Sequence, residues 1–311
     1  MSLSLRSPRA LQLAAGAAFC GVASAAYFST KRPLQLDSSQ NAASKTLSLP
    51  STMLFSKQLT VTKVEQVNHD TKKVTFALPG GVGEISGVEA GSAILTQHTP
   101  PGAWFPVLRP YTPISDADER GTLQLLVKQY PNGQASRHIH TLTPGSKLQI
   151  RGPIPGYRYT ASTQARQVLF IAGGAGITPL YSLAKKIVSD ASDETRITLL
   201  WGVNGTRDLV LKAELEALEA QFPNRLSVKY CISGPEAAPG TGSLGDETKF
   251  KKGHVDKSVL QEAIERCKKG RWGDGKTKVW LCGPPAMEEA IAGQKGVLAE
   301  LGVAKNEIHK F

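Results

Sequence analysis

Five short stretches of this 311-residue chain carry side chains suited to a phosphorylated ligand with flat rings. Gly173-Gly174-Ala175-Gly176-Ile177-Thr178-Pro179 lies between an apolar run and a helical one. Glycines at such a turn let backbone approach a pyrophosphate, and the free N–H groups of a helix start attract its charge. Thr178 can cap that helix, and Pro179 suits its first turn. The third glycine of G-x-G-x-x-G is missing, so a tight structural turn competes with a nucleotide contact. Cys282-Gly283-Pro284-Pro285-x-Met287 ends a second apolar run in the same way. Pro285 alone would start a helix there, and Cys282 would then be an inert thiol. Upstream, Arg109-Pro110-Tyr111-Thr112-Pro113-Ile114-Ser115 joins a bidentate phosphate donor, a stacking ring and a small hydroxyl. Val127-Lys128-x-Tyr130 and Gly133-x-x-Ser136 add a cation, an aromatic and another helix start.

The elements around these stretches fall into two halves. From Phe55 to about Tyr159 the chain reads as short, alternating, β-branched strands, such as KQLTVTKVEQV, KKVTFALP, GTLQLLVKQY and SKLQIRGPI, which suggests a small antiparallel barrel. From Gln167 the rhythm changes to apolar strands (QVLFIAGG, RITLLWG, LSVKYCIS, KVWLCGPP) alternating with helices. LVLKAELEALEAQF and AMEEAIAGQKGVLAELG each read as one helix. That alternation predicts a parallel sheet covered on both faces, with its ligand beyond the carboxyl ends of the strands. The expected division is 1–50 for a leader, 51–160 for the barrel and 161–311 for the α/β domain.

Composition narrows the class. With 41% apolar residues, 20% charged residues, 30 Gly and 19 Pro, the chain is neither disordered, collagenous nor a coiled coil. Cys20, Cys231, Cys267 and Cys282 form no C-x-x-C pair, so a zinc ribbon, an iron–sulfur centre and a disulfide scaffold are excluded. His138-x-His140 is the closest histidine spacing and reads as helix surface or packing, so no metal is expected. The net charge is +11, of which the first 50 residues supply +4 and the body +7. Basic charge suits an acidic protein, an anionic membrane surface or nucleic acid. The absence of an aromatic-interleaved basic stripe argues against nucleic acid.

The leader holds Arg6, Arg9, Lys31 and Arg32 and no acid before Asp37. Between the basic pairs, Leu11–Phe28 is 18 residues long, about 27 Å as a helix, close to the thickness of a bilayer core. A mitochondrial targeting segment with a single anchoring helix is expected. A cleaved presequence releasing the body into the intermembrane space and a secretory signal are the alternatives. Residues 33–50 read as a Ser-rich tether.

Taken in order, R-P-Y-T-P-I-S, V-K-x-Y, G-x-x-S, G-P-x-x-G-Y, G-G-A-G-I-T-P and C-G-P-P-x-M resemble the NADH–cytochrome b5 reductases over residues 55–311. The leader is similar to that of the fungal mitochondrial form. The resemblance implies a ferredoxin-reductase-like flavoprotein: a β-barrel FAD domain, then a doubly wound NAD domain, acting as a monomer at the mitochondrial outer membrane. It implies FAD contacts from Arg109, Pro110, Tyr111, Thr112, Val127, Lys128, Tyr130, Gly133, Ala135, Ser136 and Thr178. NADH contacts are implied for Gly173, Gly174, Gly176, Thr178, Pro179, Cys282, Gly283, Pro284 and Met287. Thr112 and Cys282 would position flavin and nicotinamide, with no acid or base required. The implied acceptor is cytochrome b5 or a similar acidic haem protein; a quinone or another haem protein is the alternative. Two departures stand out. Gln134-Ala135 replaces the family's K-M before Ser136, and Ser233 occupies the place of an acid that repels a 2′-phosphate.

Overall fold

The computed structural model describes residues 43–164, 166–237, 243–268 and 278–311. The expected leader, with Leu11–Phe28 and Cys20, lies outside them. Among the described residues no helix is long and apolar enough to cross a membrane.

The first half is one antiparallel sheet of β1 (Lys57–Gln66), β2 (Thr71–Ala77), β3 (Ala93–His98), β4 (Val107–Tyr111), β5 (Thr122–Lys128) and β6 (Lys147–Ile154). Its order is β4-β3-β6-β1-β2-β5. Beyond β4 the Ile114 N–H donates to the Gln124 carbonyl at 3.0 Å, which brings the two sheet edges together. Leu123, Leu125 and Val127 alternate inward along β5 and meet Leu59, Val74, Phe76 and Ile150 in one core. This period of two is what the sequence alternation encodes. A short helix, α1 (Gln134–Thr141), packs on the strands at its edge.

The second half is a six-stranded, all-parallel sheet of β7 (Arg166–Gly173), β8 (Thr195–Val203), β9 (Leu226–Ile232), β10 (Phe250–Lys252), β11 (Lys278–Cys282) and β12 (Ile308–Lys310). Val168 to Ala172 are all buried because helices cover both faces. One face holds α2 (Ile177–Ser189) and α3 (Lys212–Gln221); the other holds α4 (Lys257–Lys268), α5 (Pro285–Ala292) and α6 (Val297–Glu300). The order β10-β9-β8-β7-β11-β12 starts at its centre, runs outward and returns beside β7. The reversal between β7 and β11 is a topological switch point, where helices diverge and leave a crevice.

Two helices differ from expectation. The run from Leu209 becomes helical only at Lys212, after a turn at Thr206–Asp208. The run from Ala286 to Gly302 breaks between Ala292 and Val297. At Gly296 a Cβ would lie 2.7 Å from the Ile291 carbonyl, so the chain doubles back too tightly for a continuous helix. The carboxyl end is ordered: the Phe311 N–H donates to the Leu281 carbonyl at 3.1 Å, and its ring meets His309 edge-on.

Candidate functional site

The two glycine turns of the α/β half meet at the switch point. A Cβ on Gly173 would lie 2.3 Å from Met287 Sδ and 2.9 Å from Pro284 Cδ. On Gly176 it would lie 2.2 Å from the Cys282 carbonyl oxygen. Only glycine lets the β7–α2 and β11–α5 turns pack this closely. Gly174 is different: its φ is +51° and a Cβ there would meet nothing within 4 Å, so its backbone faces open space. Trp201 Nε1 donates to the Gly174 carbonyl at 3.0 Å and pins the loop from below. Thr178 closes the turn by donating to the Ala175 carbonyl at 3.3 Å.

Around this point lies a cavity of about 590 Å³. Gly173, Gly174, Thr178, Pro284 and Met287 line one end, and Asn204, Ser233 and His254 line it beyond the ends of β8, β9 and β10. Lys128 and Tyr130 reach it from the barrel. Burial raises the Tyr130 phenol, and Asp70 and Cys282 raise it further while Lys128 lowers it. Burial pushes the Tyr111 phenol up to about 12, with Tyr130 adding to the shift. Burial, then Glu288, pushes the Cys282 thiol up to about 12. Cys282 is therefore a neutral packing group near neutrality, with no thiolate chemistry to offer.

A second cluster lies on the barrel. Arg109 is exposed, and its Nη1 donates only to the neighbouring Leu108 carbonyl at 2.7 Å. The rest of the guanidinium fork has no protein partner among the described residues. Facing outward from β4, it is suited to a phosphate. Gly133 precedes α1, and a Cβ there would lie 2.4 Å from Ser136 Oγ. The Ser136 hydroxyl turns inward, donating to the Gly133 carbonyl at 3.1 Å and accepting from the Tyr130 N–H at 3.2 Å. Any anion at this helix start would thus be held by backbone N–H groups. The donor set fits a cofactor pyrophosphate, and the open Gly174 backbone fits a dinucleotide.

Some expected site residues do not line the cavity. Val127 is fully buried in the barrel core, and His140 Nε2 donates to its carbonyl at 2.8 Å, so its side chain packs and holds no ligand. Pro179 is buried within the first turn of α2, and Ala135 is 4% exposed; both shape their turns. Cys282 and Gly283 contribute through the backbone that Gly176 touches.

Sequence reasoning also missed a cluster across the junction. Lys128 Nζ lies 3.0 Å from Asp70 and 3.7 Å from Asp208, with His69 beside both carboxylates. Burial opposes its charge, but Asp70 and Asp208 outweigh that and hold the ammonium above its ordinary value. His69, Asp70 and Asp208 are close enough together to hold a cation, and the Lys128 ammonium is the cation among them. Asn68 Nδ2 donates to the Arg207 carbonyl at 2.8 Å and ties the same turn to the α/β half. Residues 68–70, Lys128 and residues 207–208 are each more than 50 positions from the next, so no local motif announces them.

An antiparallel sheet with a phosphate cluster, joined to a parallel sheet with a dinucleotide crevice, defines a two-domain flavin and nicotinamide oxidoreductase. Two family models match accordingly: an oxidoreductase FAD-binding domain over residues 58–159 and an oxidoreductase NAD-binding domain over 170–293. The chain is 39% identical over 263 residues to NADH-cytochrome b5 reductase 2 of Botryotinia fuckeliana, covering 81% of this chain and 71% of that protein. It is 38% identical to the protein of that name from Aspergillus fumigatus, covering 81% and 76%. The cytochrome b5 reductase domain of Ulva prolifera nitrate reductase superposes with a TM-score of 0.70 at 26% identity, covering 86% of this chain and all of that one. The CS-b5R domains of human Ncb5or share the fold, with a TM-score of 0.66 at 22% identity over 83% and 69%. The chain belongs to the NADH–cytochrome b5 reductase family and binds FAD and NAD.

Proposed function

We propose that the chain accepts a hydride from NADH at the junction of its halves and passes electrons singly to cytochrome b5 or a similar acidic haem protein. The observation that carries this reading is the cavity over the open Gly174 backbone, which Lys128 and Tyr130 reach from the barrel half. FAD, when bound, supplies the redox chemistry: it takes two electrons as hydride and releases them one at a time. The protein's part is to bind and orient. Arg109 and the start of α1 hold the pyrophosphate, and Tyr111 and Thr112 lie along the flavin. Gly174 and Thr178 leave room for the nicotinamide, with the neutral Cys282 thiol beside it. Correct stacking of two rings replaces any acid or base.

The acceptor reading rests on charge as well as kinship. From Arg120 to Ser189 the chain has nine basic residues and not one Asp or Glu. An acidic partner would be steered to a chain with this basic excess in a salt-dependent way. Raising ionic strength should therefore slow reduction of cytochrome b5 severalfold while leaving flavin reduction by NADH unchanged. Equal rates at low and high salt would remove the electrostatic part of the reading.

We further infer relaxed discrimination between NADH and NADPH. Ser233 lines the cavity and donates to the Val203 carbonyl at 3.2 Å, so a neutral hydroxyl stands there. The nearby Glu236 carboxylate is engaged by the Thr206 N–H at 3.2 Å. Localisation follows the leader: an anchor at Leu11–Phe28 would tether the body to the mitochondrial outer membrane. Protease protection of intact mitochondria carrying the full chain tests that placement, and a body shielded by the outer membrane would contradict it.

A further inference from the structure

Helix α2 begins just after the Gly174 turn, and one stripe of it meets the barrel half. Thr178, Ser182 and Lys185 are spaced i, i+4 and i+7, which places them on one side of the helix. Thr178 lines the cavity. One turn on, the Ser182 hydroxyl accepts from the Gly91 N–H of the barrel half at 3.3 Å. A Cβ on Gly91 would lie 2.7 Å from Leu183 Cγ, so helix and barrel meet here without a gap. About 10 Å along the axis from Thr178, Lys185 Nζ lies 2.7 Å from Asp116 and donates to the Ile114 carbonyl at 3.4 Å. The Tyr181 ring borders the same ammonium, with its centroid 5.5 Å away.

The segment that Lys185 holds is short, and β5 holds it too. The Ile114 N–H donates to the Gln124 carbonyl at 3.0 Å, and Ser115 Oγ accepts from the Gln124 N–H at 3.1 Å. The Ile114 side chain is buried in the core of the α/β half, not in that of the barrel. Two residues before it stands Thr112, next to Tyr111 at the end of β4. One segment thus carries the flavin-side residues at one end and the hold of α2 at the other. Among the described residues, the pair of Lys185 with Asp116 is the only ion pair made by α2.

We propose that Lys185 is a positioning residue for the reaction. By holding Ile114 and Asp116 it fixes the segment bearing Thr112 to the helix that starts at the Gly174 turn, and so sets how flavin and nicotinamide rings lie against each other. The proposal rests on Thr112 lying at the flavin and the Gly174 turn taking the nicotinamide. An ion pair whose carboxylate is 58% exposed adds little to stability. The lysine therefore acts on where the segment sits, not on whether the fold holds.

Lys185→Met keeps the stem and removes the ammonium. In the full chain carrying FAD, mixed anaerobically with saturating NADH, it should slow flavin reduction about tenfold, part of what a displacement of about 1 Å costs. The NADH concentration for half-maximal reduction should change little, because nothing that holds the dinucleotide is removed. The long-wavelength charge-transfer absorbance of reduced flavin stacked on NAD should weaken in step. In the chain without flavin or nucleotide, amide exchange over residues 112–116 should speed up while the melting temperature hardly moves. Lys185→Arg, which keeps a charged donor, should recover most of the rate and of the absorbance. Asp116→Asn, a second variant at an exposed site, should slow reduction severalfold. A Lys185→Met protein with wild-type rate and absorbance, or with unchanged exchange over 112–116, would overturn the proposal. So would a slowed rate that follows a large fall in melting temperature and that arginine does not restore. A wild-type chain whose flavin NADH leaves oxidised would instead refute the reading of the site beneath it.

Discussion

Replacing Gly176 with alanine tests the geometry of the crevice most sharply. The new Cβ would lie 2.2 Å from the Cys282 carbonyl oxygen, 2.5 Å from its carbon and 2.9 Å from the Gly283 nitrogen. Ordinary van der Waals contact begins near 3.4 Å, so the two turns must part by about 1 Å. All three neighbours are backbone atoms, so no flexible side chain can yield. Overpacking of this kind costs about 1–3 kcal/mol. Displacing a nicotinamide-bearing turn by about 1 Å should slow ring-to-ring transfer roughly 100-fold. FAD should stay bound, because Arg109, Tyr111 and α1 lie in the other half. The assay is anaerobic rapid mixing with saturating NADH, following flavin absorbance, alongside a thermal melt. Gly174→Ala is the control: with φ at +51° and open space around it, it should cost about 1–2 kcal/mol of strain without moving a neighbour. A Gly176→Ala protein with wild-type reduction rate and melting temperature would show that the two turns do not set the crevice.

Ser233→Asp should raise the NADPH concentration for half-maximal flavin reduction about tenfold while changing that for NADH little, since a carboxylate repels a phosphate and accepts from a hydroxyl; equal shifts for both would detach Ser233 from the ribose. Cys282 titrates at about 12, so flavin reduction should show no thiolate limb across roughly pH 6 to 9, and iodoacetamide should label Cys282 far more slowly than a free thiol. An alkaline inflection in that range, absent from Cys282→Ala, would contradict this. Asp256 starts α4; burial works against its charge, but Lys251, Ser258 and the Val259 N–H together lower its carboxyl to about 2. Its folded value lies below the unfolded one, so its stabilisation is present above about pH 4 and lost as pH falls through about 2. Asp256→Asn should therefore melt lower than wild type near neutrality, with the gap closing through that window; a constant gap would point to lost packing.

The features legible in the sequence were those written locally. The alternation Leu123, Leu125, Val127 gave β5, and the apolar run Val168 to Ala172 gave a central parallel strand. Glycine turns at the carboxyl ends of two apolar runs point to a ligand crevice there, and only the strand order makes that crevice the switch point. β3 escaped notice because its six residues run into the Pro- and Gly-rich hairpin that hides their alternation. Val127 belonged to a motif, yet its inward face makes it core. The cluster of Lys128, Asp70 and Asp208 was illegible because it is assembled across the junction by tertiary contact alone. Asn204 and His254 line the cavity for a similar reason: each follows a different strand, and only the parallel sheet aligns their ends.

The most direct test of the central claim is the route of the electrons. Purified full-length chain, carrying FAD, is mixed anaerobically with NADH and oxidised cytochrome b5 while flavin and haem absorbance are recorded together. The account predicts that the flavin bleaches first and that haem reduction follows, with two haems reduced for each NADH consumed. Haem reduction that precedes flavin bleaching, or a flavin that NADH leaves oxidised, would contradict it.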